Sequence, residues 1–353
     1  MTQEPRRNFT SDNVTGAAPE MFEALAAANE GQAPGYGSDT LTQRLLERAR
    51  AVFECDLEIL PVTTGSASNA LALSLLTPPY GAVYCHETAH VMTDECGAPE
   101  FYSGGAKLLT LTGPHGRLDP AAIDASMALI ATMGVHHVQP RAVTVSQATE
   151  WGTVYGLKDL AAIGATARRH GLKVHMDGAR FANALAHLGC SPAEATWKQG
   201  VDVLSLGATK NGALAAEAVV LFDPRLKDEL AFRRKRAGHL WSKMRFLSAQ
   251  LLAYLEDDFW LRKARHANGL ATRLAAGLEA VGGRLVAPVE ANELFVVLPR
   301  TVIAGLRADG YDFYDWPAPR GESGAVIRLV TAWDMRAEDA EAFIRAATRH
   351  ARA

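Results

Sequence analysis

Cysteine is scarce, charge is nearly balanced, and long apolar runs are missing from these 353 residues. The four cysteines, Cys55, Cys85, Cys96 and Cys190, fall at no spacing that pairs them. That argues against a disulfide scaffold and for reduced thiols in a cytosol. No apolar stretch approaches the roughly 20 residues of a membrane-spanning helix. The opening Met1-Thr-Gln-Glu-Pro-Arg-Arg lacks the apolar core of a secretory signal, so a cytoplasmic protein is expected. A net charge of −3 gives no reason to expect nucleic acid or an anionic membrane as partner. Repeats and low-complexity linkers are absent as well. What remains is an ordinary globular balance, 48% apolar and 21% charged.

At this length one large domain with a smaller companion is expected. Short apolar runs at 58–63, 82–85, 107–111, 141–146, 172–176, 201–206 and 218–222 read as strands. Helical periodicity lies between most of them, notably over 119–133 and 157–170. Strand–helix alternation of this kind predicts an α/β fold with a mainly parallel, seven-stranded sheet between helices. A long helical stretch over 225–278 follows. Strand candidates at 284–287, 293–298 and 326–330 and a helix from Arg336 then predict a small C-terminal α+β domain. The expected division is a segment 1–15 that contributes to the site, a large domain 16–240 and a small domain 241–353.

The chemistry gathers at the ends of these strands, where open α/β sheets bind ligands. Lys210 stands in Val201-Asp-Val-Leu-Ser-Leu-Gly-Ala-Thr-Lys210-Asn-Gly, among small residues that leave room against its amine. Asp177 and Arg180 close the earlier run Leu172-Lys-Val-His-Met-Asp177-Gly-Ala-Arg180. Thr63-Thr-Gly65-Ser66 opens a helix after a strand and would offer backbone N–H groups to a phosphate. Each of these has a plainer alternative: a helix cap for Ser66 or Asp177, a surface ion pair for Arg180, a solvated turn for Lys210. Together they make the set that pyridoxal 5′-phosphate requires: an amine for its aldehyde, a carboxylate for its ring nitrogen and a cation for a substrate carboxylate.

His86-Glu87-Thr-Ala-His90 also matches H-E-x-x-H, the helical zinc signature. A third ligand is required of a catalytic zinc, and Thr93 and Cys96 stand where the extended motif has Gly and His. The motif follows a strand directly, so a zinc hydrolase is the lesser reading.

Several segments resemble the threonine aldolase family of pyridoxal-phosphate enzymes, within the aspartate-aminotransferase-type (type I) fold. Phe9-Thr-Ser11-Asp12-Asn-Val-Thr resembles its R-S-D-T-V-T opening, and Gly35-Tyr36-Gly37 its Y-G element. Thr64-Gly65-Ser66 resembles its phosphate loop, Asp177-Gly-Ala-Arg180 its D-G-A-R, and Ile327-Arg328-Leu-Val-Thr its V-R-L-V-T. The resemblance implies that Lys210 binds the cofactor, Asp177 its ring nitrogen, and Gly65 and Ser66 its phosphate. His90 would stack on the ring. Ser11, Arg180 and Arg328 would hold the substrate carboxylate, and His137 would lie near the substrate hydroxyl. Tyr36, with Arg236 or Arg245, would reach the cofactor of a neighbouring subunit in a dimer or tetramer. For most of Arg233-Arg-Lys-Arg236 a solvated helix face is an equal alternative.

The implied reaction is retro-aldol cleavage of a β-hydroxy-α-amino acid to glycine and an aldehyde, with His90, His137 or a water as base. A transaminase, decarboxylase or β-eliminating lyase of the same fold is the alternative. Ala208-Thr-Lys210-Asn-Gly replaces the family's usual S-K-G-L-G, and Gln147-Ala-Thr-Glu150-Trp151 its E-N-T-H-N. These changes resemble a branch that includes phenylserine-type aldolases, and they leave the β-substituent open.

Overall fold

Runs of five to eight residues form the strands of the large sheet, and the computed structural model shows most of them buried on both faces. It describes residues 6–318, 321–322 and 324–352, so residues 1–5 of the expected N-terminal segment lie outside the described part. The large sheet comprises β1 (Glu58–Val62), β2 (Gly81–His86), β3 (Lys107–Leu111), β4 (Gln139–Ser146), β5 (Lys173–Gly178), β6 (Val203–Gly207) and β7 (Glu217–Leu221). Their order is β1-β7-β6-β5-β4-β2-β3. All neighbours are parallel except β7, which runs antiparallel to both β1 and β6.

Register decides where the chemistry falls. Asp177 is flanked across the sheet by Ser146 on β4 and Ser205 on β6. The first residue of β7, Glu217, faces the last residues of β6 and β1, Gly207 and Val62. One end of the strands therefore brings Asp177 beside Ser146, Ser205 and the β6–β7 connection that carries Lys210, where open α/β sheets bind ligands.

Side-chain alternation sorts the apolar residues of this sheet onto two faces. Val220 packs with Phe53, Tyr84, Leu204 and Trp260 in one core. Its neighbours Val219 and Leu221 join Leu71, Val83 and Leu230 in another. A second sheet holds β8 (Arg284–Leu285), β9 (Glu293–Leu298), β10 (Tyr314–Trp316) and β11 (Ala325–Val330), all antiparallel in the order β10-β11-β9-β8. It builds its own core from Phe9, Leu274, Val296, Ile327 and Phe343.

The stretch expected to be helical over 225–278 is three helices, Lys227–Arg236, Arg245–Leu255 and Phe259–Glu279. Positive φ at Gly238, Asp257 and Asp258 interrupts it. Residues of the latter two helices as far as Ala264 pack into the large core, and from Leu270 onward into the small one. The two cores therefore part within Phe259–Glu279. Among the described residues no helix is long and apolar enough to cross a membrane.

Candidate active site

A cleft of about 320 Å³ opens at that end of the strands, and Gly65, Ser66, His90, Asp177, Arg180 and Lys210 all line it. Lys210 sits in a 3-10 turn, Thr209–Asn211, within the connection from β6 to β7. The turn is pinned from below: the Asn211 side-chain amide donates to Tyr254 Oη (3.1 Å) and to the Trp260 carbonyl (2.8 Å). Among the described residues the Lys210 ammonium makes no hydrogen bond or ion pair within the single chain.

At one end of the cleft the helix Gly65–Leu76 begins. Thr64 caps it, its hydroxyl accepting from Ala67 N at 3.2 Å. The amides of Gly65 and Ser66 have no acceptor among the described residues, and a Cβ on Gly65 would meet nothing within 4 Å. Open amides, a helix dipole and free space form an anion cradle. In the same lining Asp177 accepts from Ala179 N (3.0 Å) and from the Asn69 amide (2.8 Å). The helix that follows is Phe181–Leu188 with Arg180 at its N-cap and no side-chain cap, so Asp177 closes a local turn onto Ala179 and does not cap that helix.

Asn69 lies four residues after Gly65, on the same side of the helix. Its Nδ2 also donates to Glu95 Oε1 at 2.8 Å. The same oxygen lies 2.9 Å from His90 Nδ1. A continuous chain of polar contacts thus joins His90, Glu95, Asn69 and Asp177. The contact with Glu95 raises the pKa of His90 against the opposing effect of burial. Glu150 accepts from the His90 backbone N–H (2.8 Å) and the Ser146 hydroxyl (2.6 Å), and burial pushes its pKa up to about 7. Glu217 lies beside the Lys210 turn, accepting from Thr209 N at 3.3 Å, and burial likewise pushes it up to about 7.

Arg180 is not a free cation. Its Nε and Nη2 donate to Asp12 at 2.7 and 2.9 Å, and Nη1 lies 3.2 Å from Glu293. Burial alone would raise the pKa of Asp12, but Arg180, Lys210 and Asn292 outweigh it and bring it down to about 2. Arg328 is tied to the same Glu293 through Nε (3.0 Å) and Nη2, and sits 5.2 Å from the Trp316 ring. It lies behind Arg180 and does not line the cleft. Ser11 caps the turn Asp12–Val14, its hydroxyl accepting from Asn13 N at 3.1 Å, and the neighbouring Asn13 lines the cleft instead.

Beyond Ser11 and Arg328, four further expected site residues stand apart from the cleft of their own chain. His137 is exposed beside the first residue of β4, at the opposite end of the strand from Ser146. Tyr36, Arg236 and Arg245 lie on or beside an outer surface where the loop before Thr40 meets the segment after Arg236. There Tyr36 N donates to the Ser242 carbonyl (3.0 Å), the Lys235 ammonium lies 5.0 Å from the Tyr36 ring, and Arg245 reaches the Gly31 carbonyl at 3.4 Å. The two histidines of the H-E-x-x-H motif are separated in the same way. His86 ends β2 with its ring nitrogens on Thr88 and the Gly113 carbonyl, while His90 faces Glu95. Among the described residues no group of three His, Cys, Asp or Glu could hold a metal ion.

Known proteins share this arrangement of sequence. A family model described as beta-eliminating lyase matches residues 8–301. The chain belongs to that family. It is 49% identical over 329 residues to the low specificity L-threonine aldolase of Pseudomonas aeruginosa, covering 93% of each chain. To the enzyme of the same name from a Pseudomonas species it is 46% identical over 335 residues, covering 95% of this chain and 94% of that one. The solved threonine aldolase of Leishmania major superposes with a TM-score of 0.91 at 31% identity, covering 98% of this chain and all of that one. The lyase family thus agrees with the motifs read from the sequence, and the solved structure agrees with the fold.

Proposed function

We propose that this cleft holds pyridoxal 5′-phosphate and cleaves a β-hydroxy-α-amino acid of the threonine, allo-threonine or phenylserine type to glycine and an aldehyde. One observation carries the reading: a lysine amine with no hydrogen bond or ion pair among the described residues shares one cleft with an open helix N-terminus and a hydrogen-bonded carboxylate. The donor set suits the cofactor at each end. Gly65 and Ser66 would hold its phosphate, Asp177 its ring nitrogen, Lys210 its aldehyde carbon and His90 its ring face. Bound there, the cofactor supplies an electron sink for the pair released from the Cα–Cβ bond.

The protein's own part is binding and proton control. Arg180, held charged by Asp12 and Glu293, meets the substrate carboxylate from inside the cleft. Arg328 acts through Glu293, which joins the two guanidinium groups. Asn69 and Glu95 fix Asp177 and His90 at the distances given above. Tyr36, with Arg236 or Arg245, lies outside its own cleft, and we assign it to the cleft of a neighbouring copy in a homo-oligomer, while His137, at the far end of β4, takes no part in the cleft of its own chain. The protein acts in the cytoplasm, a reading supported by its four unpaired cysteines.

Lys210→Ala is expected to abolish both the visible absorbance of protein-bound pyridoxal and the release of glycine and acetaldehyde from threonine. Purified protein would be mixed with cofactor, its spectrum recorded, and the products assayed. Full turnover in the variant would overturn the assignment. A keto acid or carbon dioxide in place of the aldehyde would move the protein to another reaction of this fold.

A further inference from the structure

Retro-aldol cleavage needs a group to take the β-hydroxyl proton, and the cleft contains one carboxylate whose wiring fits that task. Resting on the function proposed above, we propose that Glu150 is the base that accepts the β-hydroxyl proton of the substrate. Its two oxygens have different fates. Oε1 is engaged twice, by the Ser146 hydroxyl and the His90 backbone N–H. Among the described residues Oε2 is buried and accepts no hydrogen bond, although the residue lines the cleft. An unpartnered buried oxygen costs roughly 1–3 kcal/mol, more for a charged group, so a ligand hydroxyl that donates to it recovers that cost. Two fixed donors on the other oxygen hold the carboxylate in one orientation, so the free lone pairs face one way.

Proton affinity agrees with geometry. Charged and titratable groups surround Glu150: Asp177 on β5, Arg180 after it, His90, Cys85 on β2 and Tyr155. Burial and Asp177 raise its pKa, Ser146 and the His90 amide lower it, and the balance lies at about 7. A base works best when its pKa is near the working pH. His90 is the weaker candidate for this step, because Glu95 on Nδ1 favours its protonated form. It retains the ring-facing role.

The step balances. The O–H bonding pair becomes the second C–O bond of the aldehyde, the Cα–Cβ pair stays with Cα, and the proton passes to Glu150 Oε2. Delivery of one proton to Cα then completes glycine, so none is gained or lost over the cycle.

The test uses the holoprotein and Glu150→Gln. Threonine cleavage is expected to fall by roughly 10²–10⁴-fold with KM little changed. Affinity of the apoprotein for pyridoxal phosphate, read by fluorescence, should stay near wild type. Exchange of the glycine α-proton in deuterated water, which involves no β-oxygen, should persist. Ser146→Ala provides a second reading: without that donor the carboxylate holds its proton more tightly, and the acidic limb of kcat/KM moves to higher pH. Wild-type cleavage in Glu150→Gln would overturn the proposal, as would joint loss of cleavage, exchange and cofactor affinity, which marks a structural role. An unmoved pH limb in Ser146→Ala would count against it equally. Wild-type protein that neither binds the cofactor nor exchanges glycine protons would overturn the function as well.

Discussion

Asp12 is the residue on which the charge balance of the site turns. It is almost fully buried and carries both N–H groups of one edge of Arg180. Its folded pKa, about 2, lies below the ordinary aspartate value of 3.8. A depressed carboxylate stabilises the fold above its unfolded pKa and loses that contribution as pH falls through the folded value. A shift of this size corresponds to about 2 kcal/mol at neutral pH, with about half gone by pH 3. Asp12→Asn should therefore be less stable than wild type in urea at pH 6, with the gap narrowing as pH falls to 3. A gap that does not change with pH would show that Asp12 acts by shape and hydrogen bonding alone. Glu150 and Glu217 work in the opposite sense. Their folded pKa values, about 7, lie above 4.5, so what they contribute at low pH is lost as pH rises toward and through 7.

At the scale of elements, the turn that presents Lys210 depends on Gly212. Its φ is +113°, and a Cβ there would stand 3.4 Å from Ala18 Cβ and 3.5 Å from the Phe259 ring. Gly212→Ala is expected to lose about 1–3 kcal/mol of stability through backbone strain. Thermal unfolding reads the loss, and weakened cofactor retention should accompany it because Lys210 lies two residues away. Unchanged unfolding would mean that the turn relaxes freely. The strands themselves were legible because each is a short apolar run between helical segments. The direction of β7 was not read, since an antiparallel strand buried on both faces has the same composition as a parallel one. One signal was present: only residues 208–216 separate β6 from β7, fewer than the dozen or so that a parallel crossover needs. Lys210, Asp177, Arg180, Gly65 and Ser66 were legible because local motifs mark strand ends. Glu95, Asn69, Glu217 and Glu293 were not, because their roles arise from contacts between distant segments. Asn69 alone had a local cue, one helical turn after the phosphate loop.

At the scale of the whole molecule, the N-terminal segment fastens the small domain to the cleft. Phe9 packs 4.8 Å from the Phe343 ring and its carbonyl accepts from Val330 N, while Asp12, three residues on, reaches Arg180 in the large domain. The chain is still unfinished as a catalyst if Tyr36 and Arg245 serve another cleft. The surface that carries them also exposes Phe232 (78%) and Trp241 (43%), apolar area that a second copy would cover. Complementation tests this directly. Lys210→Ala destroys a subunit's own cleft, and Arg245→Ala spoils only what it lends to its neighbour. Each variant alone is expected to be nearly inactive. In a two-fold dimer the interface is reciprocal, so each heterodimer rebuilds one cleft with Lys210 from one chain and Arg245 from the other. Random mixing makes half the dimers heterodimers with one of two clefts intact, so co-expressed variants should recover about a quarter of wild-type turnover. Turnover no greater than the mean of the two variants alone would mean that Arg245 serves no neighbouring cleft, and that each chain completes its own site.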